Sequence, residues 1–180
     1  MNVRMIGYTK PMDIIGINDV QDLIAYAARV SNPANQMNTA TSEKLLGYLI
    51  REKHWSPFEM ASVTMEVETT RDIARQFLRH RSFSFQEFSQ RYANPQDMEN
   101  SFVVREARLQ DTKNRQNSIE TDDPALAAWW DAKQKFIIET VKQTYSEAIE
   151  RGIAKEQARA ILPEGNTVSR LYMQGTIRSW

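Results

Sequence analysis

Between Arg79 and Tyr92 the chain reads RHRSFSFQEFSQRY, placing three arginines, a histidine, a glutamate, three serines and three phenylalanines in fourteen residues. Guanidinium groups give forked, charge-assisted contacts to phosphate or carbonyl oxygens, and phenylalanine rings offer flat apolar faces. A core has little use for that mixture, whereas an anionic ligand with a planar aromatic part can use nearly all of it. The spacing adds geometry. Thr70 to His80 reads as a helix, on which Arg71, Arg75 and Arg79 recur every fourth residue and so stack on one face. Like charges at that spacing repel by roughly 0.2–0.5 kcal/mol per pair, which nearby anions offset. Beyond Arg81 the period changes to two. An extended chain there puts Phe83, Phe85, Glu87, Ser89 and Arg91 on one face, and Ser82, Ser84, Gln86, Phe88, Gln90 and Tyr92 on the other.

The elements that must hold this segment follow from pattern. Val3 to Thr9 reads as a strand. Asp19 to Val30 reads as a helix capped by Asn18 or Asp19, and Ser31-Asn-Pro breaks it. Ser42 is expected to cap a second helix whose buried stripe is Leu45, Leu46, Leu49 and Ile50, ending near Lys53. His54 to Glu59 reads as a turn or one helical turn, with Ser56 as its cap and Pro57 in its first position. Ala61 to Glu68 alternates, so Val63, Met65 and Val67 should face a core. Positions 93–123 are polar and irregular, a long loop with one short strand at Phe102-Val-Val104. Asp123-Pro124 opens a long helix with an apolar stripe of Trp129, Phe136, Ile137, Val141, Tyr145 and Ile149, closed by Gly152. Lys155 to Leu162 is a short helix stopped by Pro163. Asn166 to Met173 reads as a strand, and Gly175 to Trp180 as the start of a further helix capped by Thr176. The sum is one α+β domain over 1–180, a small, mostly antiparallel sheet packed with helices.

Composition bounds the function. The 180 residues carry 23 basic and 23 acidic side chains, so the positive character of 79–91 is local. Broad nucleic-acid or anionic-membrane binding normally shows as a basic excess, which leaves a small anion as the better ligand. The chain has no cysteine, which removes disulfides and thiolate catalysis. With only His54 and His80, a histidine-rich metal centre is not expected, and no metal ligands are assigned. No apolar run approaches the ~20 residues of a membrane span, and no secretory leader precedes Thr9, so a cytoplasmic protein is expected.

Arg79-His80-Arg81, seven residues, then Ser89 resembles the central motif of the flavin-dependent thymidylate synthases, and Glu87, Arg91 and Tyr92 fall where that family's longer pattern places them. Four further segments follow in the family's order. Ala28-Arg-Val-Ser31 resembles its N-terminal element, His54-x-x-Pro57-Phe58-Glu59 its second, Gln76 stands at the matching distance before the central motif, and Ala158-Arg159 with Leu162-Pro163 resembles a later one. Gln86 stands where an asparagine is usual and Met60 where a histidine is common. Family members continue past Ser179-Trp180 into a helix bearing another arginine that helps activate the pyrimidine, so the resemblance implies a C-terminal helical part beyond position 180.

The resemblance implies reductive methylation of dUMP to dTMP, with methylenetetrahydrofolate as carbon donor, FAD as the hydride-carrying cofactor and NADPH as reductant. It also implies a homotetramer with shared active sites. The dUMP set it implies is Gln76, Arg79, Glu87, Phe88, Ser89, Gln90, Arg91 and Arg159. The FAD set is Ser31, His54, Ser56, Glu59, Arg79, His80, Arg81, Glu87 and Arg178. Arg79, Ser89 and His54 are the residues expected closest to the reaction. No base is evident that would make Ser89 a nucleophile. Two other readings compete: a flavin- or nucleotide-binding protein without turnover, and a module that stacks single-stranded nucleic acid on the phenylalanines of 79–92.

Overall fold

A computed structural model describes residues 1–13, 16–97 and 100–180. It contains strands β1 (Asn2–Tyr8), β2 (Ser62–Thr70), β3 (Ser84–Glu87), β4 (Arg108–Gln110), β5 (Ser118–Glu120) and β6 (Val168–Thr176). Its α-helices are α1 (Val20–Ala28), α2 (Ser42–Arg51), α3 (Arg71–Phe77), α4 (Pro124–Glu150) and α5 (Lys155–Ala158). A four-stranded sheet runs in the order β1-β2-β6-β3, and β4 and β5 form a separate two-stranded sheet. β3 lies antiparallel to β6, with Phe85 opposite Met173 and Glu87 opposite Leu171. The class is the expected α+β with an antiparallel sheet.

Contacts group the chain into two units. The first comprises Met1–Val67, Leu78–Glu87 and Leu171–Trp180, and the second Glu68–Phe77 and Phe88–Arg170. In the first, Asp19 caps α1 by accepting from the Asp22 amide at 2.8 Å. Ile24, Leu49, Phe58 and Ala61 form its core, with Leu45, Leu46 and Ile177 packed against them. Ser42 departs from expectation. It is the first residue of α2 rather than its cap, and its buried hydroxyl has no partner among the described residues. Lys53 leaves the helix with a positive φ of 59°, and the chain turns at once into His54.

In the second unit, Asp123 caps α4 by accepting from the Ala125 and Leu126 amides at 2.9 and 3.1 Å. The core joins Tyr145 of α4 to Ala158 and Leu162, with Phe102, Val141 and Ile149 against them. The expected stripe on α4 holds in its second half, Val141, Tyr145 and Ile149, and fails in its first. Gln134, Ile138 and Tyr145 are buried, whereas Trp129 and Phe136 are 55% and 70% exposed. Two further expectations fail. Positions 108–120 hold the β4–β5 hairpin rather than a plain loop, and the chain past Gly175 extends β6 to Thr176 and then turns instead of starting a helix.

Candidate functional site

In the first unit, the basic tripeptide stands outside the helix meant to carry it. α3 ends at Phe77, so Arg79 lies in the following turn rather than on the helix. Leaving the helix there relieves the like-charge repulsion of an i, i+4 arginine pair. Arg79, His80 and Arg81 are all exposed. Among the described residues, no hydrogen bond or ion pair occupies the Arg79 or Arg81 guanidinium. His80 meets the Phe83 ring edge-on at 6.2 Å, and Phe83 in turn meets Trp180 at 4.8 Å and Phe85 at 6.3 Å. Phe83 lies directly on Gly175, where an added Cβ would fall 2.4 Å from its Cδ1 atom. That glycine lets the aromatic cluster sit flat on the strand.

An open cleft of about 560 Å³ is lined by Glu59, Ser82, Thr176, Arg178 and Ser179. Glu59 and Arg178, both expected from the resemblance to meet FAD, form an ion pair across it. The Ser179 hydroxyl donates to the Ser82 carbonyl at 3.1 Å, tying the residue after Arg81 to the end of β6. His54 is exposed; its backbone amide donates to Leu49 O at 2.8 Å and its ring meets Tyr48 edge-on at 6.0 Å. Ser56 opens a 3-10 turn over Ser56–Met60 in which Trp55 occupies the cap position, so Ser56 is not the expected cap. Ser31 is exposed in the turn after α1, and the neighbouring Arg29 is buried, donating to Asn38 O at 2.6 Å and Thr41 Oγ1 at 2.9 Å. That arginine therefore holds the 38–41 loop.

Glu87 ends β3, half-buried. Apart from Arg79, the rest of the expected nucleotide set belongs to the second unit. Gln76 is exposed on the last turn of α3. The expected alternation does not continue past Glu87, because the chain leaves the strand and curls. The Ser89 carbonyl accepts from both the Tyr92 and Ala93 amides, at 3.2 and 3.1 Å. This curl presents Arg91 to solvent, its guanidinium 5.8 Å from the Tyr92 ring, and turns Gln90 inward to 4% exposure. Gln90 Nε2 has no partner among the described residues, a donor whose desolvation typically costs about 1–3 kcal/mol. Phe88 is half-buried and its amide donates to Arg170 O at 2.8 Å. Lys155 Nζ donates to Tyr92 O at 3.1 Å, joining the end of the motif to α5. Arg159 follows directly in a 3-10 turn, its Nε on Glu156 O at 3.2 Å and the rest of its guanidinium uncommitted among the described residues. Arg91 and Arg159, sixty-eight positions apart with a hairpin and a long helix between them, thus belong to segments that touch. The sequence carried no sign of Lys155 or of the serines of the cleft, because their roles exist only once the strands pair.

Residues 13–180 match the family described as thymidylate synthase complementing protein. The chain belongs to that family. Two curated members align with all of it. One is a probable flavin-dependent thymidylate synthase of Paramecium bursaria Chlorella virus 1, 51% identical over 180 residues and covered over 81% of its own length. The other is a flavin-dependent thymidylate synthase of a Synechocystis strain, 52% identical over 182 residues and likewise covered over 81%. Among solved structures, the UMP/dUMP methylase PolB from Streptomyces cacaoi, bound with 5-Br dUMP, superposes with a TM-score of 0.79 at 26% identity, covering 99% of this chain and 73% of that one.

Proposed function

We propose that this family member is a flavin-dependent thymidylate synthase, converting dUMP to dTMP with methylenetetrahydrofolate as carbon donor and NADPH as reductant. The observation that carries the reading is the pair of exposed guanidinia at Arg79 and Arg81, without a partner among the described residues, inside the motif that resembles the family's. Two cations without a partner among the described residues, beside an exposed histidine and an aromatic cluster, fit a ligand that is both a diphosphate and a flat ring system, as FAD is. When bound, FAD supplies the hydride chemistry that a chain without cysteine has no thiolate to replace.

The chain's own residues supply position and charge. Arg79, His80 and Arg81 hold the cofactor, with His54, Ser56, Ser31, Glu59, Glu87 and Arg178 as further contacts. Gln76, Arg79 and the Glu87–Arg91 run hold the nucleotide, and Arg159 neutralises its phosphate. Each charge-assisted contact of this kind is worth about 1.5–3 kcal/mol. Ser89 orients the nucleotide through its hydroxyl. Self-association as a homotetramer is part of the same reading, supported by the exposed Trp129, Phe136 and Ile137 on α4, an apolar row of the sort that marks protein contacts. No described helix is long and apolar enough to cross a membrane, and we place the enzyme in the cytoplasm.

The test is flavin retention. Protein mixed with FAD and freed of unbound cofactor should keep the oxidised-flavin absorption bands and lose them on adding NADPH under exclusion of air. Protein that retains no flavin, or whose bound flavin NADPH never bleaches, would count against the reading.

A further inference from the structure

The geometry points to Arg105 as a positioning residue for the nucleotide, acting through α3 and itself set in place by the buried Gln134. This rests on the reading of Gln76 as a dUMP contact. Gln134 stands in the buried row of α4 at 3% exposure, where an apolar side chain would be ordinary. Its amide is fully used. Oε1 accepts from the Arg105 amide at 2.8 Å and from Asn166 Nδ2 at 3.0 Å. Nε2 donates to Arg105 O at 2.8 Å and to Trp130 O at 3.4 Å. A side chain that pairs with both the N–H and the C=O of one residue fixes that residue's backbone as a strand partner would.

The fixed backbone aims the Arg105 guanidinium at the start of α3. Nη2 reaches both oxygens of Asp72, at 2.8 and 2.9 Å, and Thr70 Oγ1 at 2.5 Å. Nε donates to Gly165 O at 2.9 Å. A second tie, the Arg75–Glu164 ion pair, and the Arg71 amide on Thr167 O at 3.0 Å hold the same helix to the 164–167 segment. Gln76 follows Asp72 by four residues, one turn along the same face, so the orientation set at Asp72 is inherited by Gln76. A helix of seven residues does not hold itself, and these side-chain ties are what define its direction.

The experiment compares Arg105→Lys, Arg105→Gln, Asp72→Asn and the Arg105→Gln/Asp72→Asn double variant with the wild-type chain, all loaded with FAD. Equilibrium dUMP affinity, retained flavin and thermal midpoint are measured for each. Misplacing a binding group without removing it should weaken dUMP about tenfold in either Arg105 variant. Lysine should not rescue, because one ammonium cannot reach Asp72 and Gly165 together. Flavin retention should stay at the wild-type level, and the double variant should lose little beyond Arg105→Gln alone. dUMP affinity that holds while only the thermal midpoint falls would overturn the assignment, as would equal losses of dUMP and flavin. Wild-type protein that binds FAD but not dUMP would instead overturn the nucleotide reading, and this inference with it.

Discussion

Arg81 carries the sharpest expectation at the scale of single residues. Its guanidinium is exposed and unengaged among the described residues, so under the proposed function Arg81→Ala removes a ligand contact and little else. A lost charge-assisted contact should weaken FAD by roughly tenfold or more, with the unliganded thermal midpoint nearly unchanged, read by equilibrium titration and by melting. Tyr145 tests the opposite case. It is fully buried, its hydroxyl has no partner among the described residues, and burial, with Asp97 adding to it, pushes its ionisation upward. Tyr145→Phe deletes a group that already carries its desolvation penalty, so the thermal midpoint should hold or rise. A clear fall would mean that the hydroxyl has a partner, such as an ordered water. Most candidate side chains could be read in the sequence because motif residues are chemical types at fixed spacing. The burial of Gln90 could not, since it follows from the curl that starts at Ser89.

Elements were legible where local chemistry decides them. Asp19 and Asp123 cap α1 and α4 as their neighbours indicate, and Gly152 closes the long helix with a φ of 82°. Where tertiary contacts decide, the pattern misleads. The buried row of α4 includes a glutamine because that glutamine pairs with the backbone of Arg105, so hydrophobicity points to the wrong face over Trp129–Ile137 and to the right one only from Val141 on. The β4–β5 hairpin leaves no periodic signal in the sequence, because all six strand residues are exposed and its turn is built from polar bonds: Asp111 accepts from the Lys113 and Asn114 amides and from Asn117 Nδ2. Those bonds, the Asn114 amide first, hold the Asp111 carboxyl below its ordinary range. A depressed carboxylate contributes stability that is complete above its unfolded pKa of about 3.9 and is lost as pH falls through the folded value. Amide exchange at Lys113 and Asn114 should therefore show protection that fades only in that acid window, and Asp111→Asn should abolish the dependence. Gly175 is the element-scale test of the cofactor unit. In Gly175→Ala the new methyl would drive into the Phe83 ring, so the ring, and with it the contacts to His80 and Trp180, must shift. Lower flavin affinity and a lower thermal midpoint are expected together, and an unchanged midpoint would show that Phe83 is free to move.

At the scale of the whole molecule, the expected ligand sets fall differently on the two units. Every FAD candidate lies in the first, whereas Gln76, Phe88 to Arg91 and Arg159 of the dUMP set lie in the second. Substitutions in the first set should act mainly on flavin retention and those in the second mainly on the KM for dUMP. The α+β class and the order of the motifs were readable because both follow from periodicity and spacing along the chain. The grouping into units was not, because β2 and β6 each pass from one unit into the other without any break in composition. The measurement that tests the central claim most directly is product analysis by mass spectrometry, after incubating the FAD-loaded chain with dUMP, methylenetetrahydrofolate and NADPH. The account predicts dTMP that forms only when all three are present and that is strongly reduced in Arg91→Ala. Bound flavin oxidised and reduced with dUMP left unchanged would contradict it, and would make this chain a flavin-binding protein without synthase activity.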